Sequence, residues 1–162
     1  MKCIFCECIE DSQILAETDH FFMVYDINPI QKGHLLIISK QHYENIREVP
    51  ESVLTELILL EQQVAEIMET KFDILGVTIV QNNGLVMDEG THFHVHIIPR
   101  YRDDCFWENQ KVKWHELLTE QLSCHLKEQF RPCIHLQDMT AYYLCLSVVC
   151  FVYLYLYLQS TS

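Results

Sequence analysis

Apolar residues recur along this chain in two rhythms, one of period two and one close to 3.6, and the changes between them mark its elements. His20-Phe21-Phe22-Met23-Val24-Tyr25 reads as a strand closed by the turn signal Asp26-Ile27-Asn28-Pro29. Lys32-Gly33 punctuates the next loop, and His34-Leu35-Leu36-Ile37-Ile38 reads as a second strand whose near-continuous apolar run predicts burial on both faces. From Ser52 to Lys71, Val53, Leu54, Leu57, Ile58, Val64, Ile67 and Met68 recur at helical spacing. Glu51, Glu56, Glu61, Glu66 and Glu69 populate the solvated side of that helix. Ile74 to Gln81 reads as a third strand, broken by the turn Asn82-Asn83-Gly84. A fourth begins at His92 and stops at Pro99, which has no N–H to donate to a ladder. Trp114 to Phe130 predicts a terminal helix with Leu117, Leu118, Gln121, Leu122 and Leu126 on its inner side. Short connections and a majority of strands predict an α+β fold with an antiparallel sheet.

The fourth strand carries the densest chemistry. In His92-Phe93-His94-Val95-His96-Ile97-Ile98, alternation projects the three histidines to one face and Phe93, Val95 and Ile97 into a core. Such a face concentrates proton carriers, nucleophiles or metal ligands that work near neutral pH. A single buried histidine is commonly a hydrogen-bonded core residue; three in alternation point to function.

Composition narrows the classes. A chain of 162 residues fits one domain with its own core. The net charge of -12 argues against nucleic acid as a partner, because phosphate backbones need a basic footprint. The N-terminus Met1-Lys2-Cys3-Ile4-Phe5-Cys6 has no apolar run suited to secretion, so the eight cysteines are expected to be thiols or metal ligands in a reducing cytoplasm. Near Phe130 the composition changes abruptly. From there on the charges are Arg131 and Asp138, and 140–158 carries none. That stretch approaches the ~18 apolar residues of a membrane-spanning helix but lacks a basic flank. Its Tyr/Leu alternation also suits a strand, and read-through or a changed frame past a natural end near Phe130 would produce the same shift. The chain is therefore divided into a domain over 1–130 and an apolar tail over 131–162. A membrane anchor is conceivable only through 140–158, and no functional reading rests on the tail.

Cys3-x-x-Cys6, Asp26-Ile27-Asn28-Pro29, Gly33-His34-Leu35-Leu36-Ile37-Ile38-Ser39-Lys40 with His42, and the alternating triad ending in Pro99-Arg100 occur together. The combination resembles the histidine triad (HIT) superfamily of nucleotide hydrolases and transferases, in particular the bacterial-type members with a zinc-binding Cys pair. The resemblance is strongest over residues 3–102. It implies a HIT-like antiparallel sheet of about five strands with one long helix and a C-terminal helix, paired as a homodimer through the long helix and a neighbouring strand.

By the same resemblance, His94 attacks the α-phosphorus of a nucleoside phosphoramidate or dinucleoside polyphosphate, and the covalent nucleotidyl-histidine is then hydrolysed. His96 and His34 contact phosphate oxygens or relay a proton to the leaving group. Asp26 matches the ribose-binding acid, Ile27 the residue against the base, and Asn82 a polar contact to ribose or phosphate. His42 and His92 match the positions that complete a structural zinc site with Cys3 and Cys6. The chemistry agrees: neutral imidazole is a competent nucleophile near pH 7, and zinc favours four nitrogen or sulfur ligands.

One segment departs from the pattern. Many relatives carry a Gly-Gln-Ser/Thr-Val-like run before the triad, where this chain reads Leu85-Val86-Met87-Asp88-Glu89-Gly90-Thr91. The Gly90 amide and the Thr91 hydroxyl are the donors available there. Lys40 and Arg100 are the nearest cations to offset Asp88 and Glu89. Two further readings stand beside the leading one. A metal-dependent hydrolase would use His92, His94 and His96 as ligands, although i, i+2 and i+4 on a straight strand span about 13 Å. A catalytically weak nucleotide-binding module would follow from the altered segment.

Overall fold

A computed structural model of the protein describes residues 2–130, in two units that meet in sequence at Gln110 and Lys111. The first carries α1 (Ile4–Glu7), β1 (Ala16–Glu17), β2 (Phe21–Tyr25), β3 (Leu35–Ser39), α2 (Glu51–Lys71), β4 (Gly76–Val80) and β5 (His94–Arg100). The second carries α3 (Thr119–Gln129), which starts later than the expected Trp114. The apolar tail over 131–162 lies outside the described residues. Among the described residues no helix is long and apolar enough to cross a membrane.

The strands form one sheet in the order β1-β2-β3-β5-β4, and every neighbouring pair is antiparallel. This is the expected α+β arrangement, with five strands. Four were legible as periodic runs. The fifth, β1, is two residues long, too short to show a period.

Alternation in the strands divides the core. One face carries Phe21, Ile37, Phe93, Val95 and Ile97, all nearly or completely buried beneath α2. That helix contributes Val53, Leu57, Leu60, Val64 and Met68, spaced by three or four residues and so aligned on one stripe. Ile58 and Ile67, expected on that stripe, point outward instead, and Leu60 takes the inner place. The other face carries Phe22, Val24, Leu36 and Ile38, with Phe5, Ile9 and Ile14 of the N-terminal segment packed against them. His94 lies across from Ile38, and His96 across from Leu36, on this second face.

The histidine strand differs from expectation at both ends. Its ladder begins at His94, so His92 and Phe93 precede it, and it continues through Pro99 to Arg100. Proline is tolerated because β3 pairs with β5 only from Ile38 to Leu35, opposite His94 to Ile97. The Arg100 carbonyl accepts from the Leu75 amide on the β4 side, so the missing N–H of Pro99 faces the side where β3 has already ended. Beyond it, Arg100 is clamped by Asp104 through two bonds of 2.7 and 2.8 Å and donates to Thr78 Oγ1 at 2.8 Å. The hydrogen bonds from Arg100 hold the Asp104 carboxyl well below the usual carboxylate range.

Ile37→Ala deletes a wholly buried side chain between the sheet and α2. It is expected to lower the unfolding free energy by ~2–5 kcal/mol, while the fully exposed Leu85→Ala changes it by no more than ~0.5 kcal/mol. Urea unfolding of the two variants checks the contrast.

Candidate active site and metal centre

Two clusters of side chains are built around the start of β5. The first joins Cys3, Cys6, His42 and His92, whose potential ligand atoms all lie within 4.8 Å of one another. Cys3 is the N-cap of α1 and Cys6 lies within that short helix, so one turn brings both sulfurs to the same point. His92 Nδ1 is 3.2 Å from Cys3 Sγ and 3.5 Å from Cys6 Sγ; His42 Nδ1 is 3.4 Å from Cys6 Sγ. His92 Nε2 donates to the Ser39 carbonyl at 2.6 Å, which leaves the Nδ1 lone pair aimed at the sulfurs. Burial disfavours the charged form of His92 and lowers its pKa. Two sulfurs and two imidazole nitrogens at this spacing can bind a metal ion, and the donor set is the one zinc prefers.

The second cluster is a chain of imidazoles with main-chain anchors at both ends. The Ile30 amide donates to His34 Nδ1 at 3.2 Å, so the ring proton of His34 sits on Nε2. His34 Nε2 donates in turn to His96 Nδ1 at 3.0 Å, and His96 Nε2 to His94 Nε2 at 3.1 Å. His94 Nδ1 donates to the His92 carbonyl at 2.7 Å. One amide and one carbonyl thus set the tautomers of three side chains. The Nε2 lone pair of His94 is left on the side facing His96.

β-sheet register explains why these residues meet. Asp26 directly follows β2 and faces His34, its amide donating to the His34 carbonyl at 3.0 Å. His34 precedes β3 on the same face as Leu36, diagonal to His96. Asp26 Oδ2 lies 3.4 Å from His34 Nδ1 and 3.6 Å from His96 Nδ1. Burial lowers the pKa of His34, with Asp26 opposing the shift. His96 is pushed down to about 4, by burial first and then by its two imidazole neighbours, against the pull of Asp26 and Asp88. Both rings are neutral near pH 7.

The other candidate residues are placed differently. Ile27 follows Asp26 but is 81% exposed. Asn82 lies half-buried beyond β4, while Asn83 Oδ1 accepts from the Ile46 amide at 2.9 Å. The Thr91 hydroxyl donates to the Asp88 carbonyl at 2.6 Å and closes the turn before His92. Lys40 pairs with Glu17 at 2.9 Å and Arg100 with Asp104, so both expected cations are committed elsewhere. His92 does not share a metal position with His94 and His96, because its ring is turned to the cysteines.

Three contributors have no signature as site residues in the sequence. The Ile30 amide and the Ser39 carbonyl are main-chain groups that any residue could supply. Phe5 sets its ring edge-on to both His92 and His94, with centroids at 5.4 and 5.0 Å. A cavity of ≈ 760 Å³ on the α2 side of the sheet is lined in part by Asp26 and His34 but by neither His94 nor His96.

The antiparallel sheet and paired histidine clusters are those of a histidine triad protein. The chain belongs to the HIT family: residues 9–103 match the HIT domain. It is 38% identical over 130 residues to an uncharacterised HIT-like protein of Methanocaldococcus jannaschii, covering 78% of this chain and 97% of that one. Identity to the adenosine 5'-monophosphoramidase of Saccharomyces cerevisiae is 37% over 106 residues, 63% of this chain and 64% of the yeast protein. The bis(5'-adenosyl)-triphosphatase of Dictyostelium discoideum is 27% identical over 114 residues, 70% of this chain and 75% of its own. A crystal structure of a HIT family member from Bacillus subtilis superposes with a TM-score of 0.62 at 25% identity, covering 83% and 99% of the two chains. The yeast and Dictyostelium members are named as nucleotide hydrolases, the activity class represented in the family.

Because His96 carries a pKa of about 4 in the folded chain and about 6.5 when unfolded, the unfolded state binds more protons between those values. Stability contributed by neutral His96 is present above pH ~6.5 and is lost as pH falls toward 4, and the lowered pKa of His34 adds the same sign. Urea unfolding across this window is expected to show the loss, and His96→Asn to flatten it. An unchanged slope in that variant would contradict the assignment.

Proposed function

We propose that the protein is a nucleotide hydrolase or transferase that acts at the α-phosphorus of nucleoside phosphoramidates or dinucleoside polyphosphates through a covalent nucleotidyl-His94. The observation that carries this reading is the anchored chain from the Ile30 amide through His34, His96 and His94 to the His92 carbonyl. It keeps the His94 Nδ1 proton in place and leaves Nε2 as the nucleophilic atom beside a proton carrier.

In this mechanism the anionic substrate offsets the burial that keeps His96 neutral, and His96 takes up a proton. His94 Nε2 forms a bond to phosphorus as the bond to the leaving group breaks, and His96 gives its proton to the departing atom. Neutral His96 then removes a proton from a water molecule, whose oxygen displaces His94 from phosphorus. The nucleoside monophosphate leaves with that hydroxyl, and His96 is again protonated for the next substrate. General acid–base help of this kind is worth ~10² to 10⁴ in rate. His34 orients His96, and Asp26, at the mouth of the cluster, accepts the ribose hydroxyls with Ile27 against the base. Asn82 and Thr91 complete the substrate contacts. The activities named for the yeast and Dictyostelium relatives support this substrate class.

Cys3, Cys6, His42 and His92 hold a structural zinc ion in the same reading, tying α1 to the start of β5. Bound there, zinc would supply a structural cross-link. A second copy pairs through α2 and β4, where Ile58, Ile67 and Ile79 are exposed. The reaction is placed in the cytoplasm.

His94→Ala is expected to lower turnover of an adenosine phosphoramidate by at least ~10³-fold while retaining nucleotide binding and one zinc ion per chain. Acid-quenched wild type should carry a nucleotidyl adduct in its intact mass that the variant lacks. Loss of zinc with His94→Ala would favour a triad metal site instead. Binding without turnover of any phosphate ester or amide would favour a nucleotide-binding module. Cys6→Ser is expected to abolish the zinc content, read by elemental analysis.

A further inference from the structure

We propose that Asp26, His34 and His96 form a second metal site, at which Zn²⁺ or a similar divalent ion binds in place of substrate and holds the protein inactive. The potential ligand atoms of the three residues lie within 4.8 Å of one another, and each residue comes from a different part of the sheet. The electrostatics of the cluster favour a cation. Asp26 Oδ2 accepts no hydrogen bond from the described residues, since the Asn28 amide donates to Oδ1 at 2.7 Å. At 3.4 and 3.6 Å it faces the Nδ1 atoms of His34 and His96, both of which are acceptors in the tautomers that the network sets. The carboxylate oxygen is unshared, and a metal ion would take over the two Nδ1 lone pairs that now accept from the Ile30 amide and from His34 Nε2.

Two imidazoles and one carboxylate suit zinc and its neighbours in the transition series; magnesium and calcium prefer oxygen ligands. The rings are also neutral near pH 7, the state that ligates. Three protein ligands leave an open coordination position, so binding is expected to be weaker than at the four-ligand Cys3/Cys6/His42/His92 site.

Occupancy has a defined consequence. A metal on His96 Nδ1 takes the lone pair that now accepts from His34 Nε2, and it occupies Asp26 at the same time. His34 can no longer orient His96, and the acid that would receive the ribose is blocked. This consequence for turnover rests on the catalytic reading above; the metal site itself does not.

Cobalt distinguishes the two sites, because cobalt bound to thiolate shows sulfur-to-metal charge-transfer absorption and cobalt bound to nitrogen and oxygen does not. The full chain, freed of metal and titrated with Co²⁺, should bind a first ion with charge-transfer intensity and a second that adds only ligand-field bands. Asp26→Asn should keep the first and weaken the second at least about tenfold, the scale expected from losing one charged ligand. Binding that stops at one ion overturns the site. So does a second ion with thiolate absorption, or one that survives Asp26→Asn. The wild-type spectrum decides the matter even if the variant does not fold.

Turnover of an adenosine phosphoramidate is then followed on protein already carrying one zinc ion per chain. The second equivalent of Zn²⁺ should lower it by about 10²-fold, the scale of lost acid–base help. A second ion bound without that loss overturns the inhibitory role. Absence of turnover at any zinc level overturns the catalytic reading and leaves the cobalt count to judge the site.

Discussion

The register of β3 against β5 is the constraint on which both clusters depend. Pairing Leu36 with His96 and Ile38 with His94 sets the two histidines on the face away from α2. The same register brings His34 diagonally beside His96 and the Ser39 carbonyl within 2.6 Å of His92 Nε2. A slip of one residue would turn His94 and His96 toward Phe21 and Ile37 and expose Val95 and Ile97. The buried apolar face under α2 therefore specifies the positions of His94 and His96 on the other face. Packing and chemistry share one ladder.

Much of this was legible because the histidines and the core residues alternate within a single strand. Phe93, Val95 and Ile97 entered the core as their period required, and His94 and His96 stayed together. His92 was less legible. It precedes the ladder, so its orientation is set by Ser39 and the cysteines, not by the pleat. Pro99 was expected to end the strand, yet where β3 stops no amide is needed. Ile58 and Leu60 were misassigned because both fit a helical period, and only the sheet beneath α2 decides which of the two turns inward. The ion pairs of Lys40 and Arg100 were not legible either, since Glu17 comes near Lys40 only through the fold and Asp104 reaches back to Arg100 through a local turn. The amide of Ile30 and the carbonyl of Ser39 belong to no residue type, and main-chain anchors leave no mark in a sequence.

The charge distribution gives the second cluster its character. The chain carries a net charge of -12, and both Lys40 and Arg100 are tied to acids. In the proposed reaction, protonation within the histidines is one source of positive charge for an anionic substrate. Burial holds His34 and His96 neutral at rest and leaves Asp26 facing their Nδ1 atoms. The same arrangement that readies the cluster to gain a proton makes it receptive to another cation.

His92 links the two clusters through different atoms. Its ring is held between the Ser39 carbonyl and the sulfurs of Cys3 and Cys6, while its own carbonyl accepts the Nδ1 proton of His94. Fixing the ring fixes the peptide, and fixing the peptide selects the tautomer in which His94 Nε2 accepts from His96. Phe5 reinforces the connection by touching both rings, and the Ile4 amide pins the start of α1 to the Gly90 carbonyl at 2.7 Å, two residues before His92. A spacing of two residues is what allows this: in an extended chain, side chain i+2 lies on the same face as side chain i and near enough to reach its carbonyl. The alternation of histidines serves both to gather imidazoles on one face and to let the first of them orient the second through the backbone.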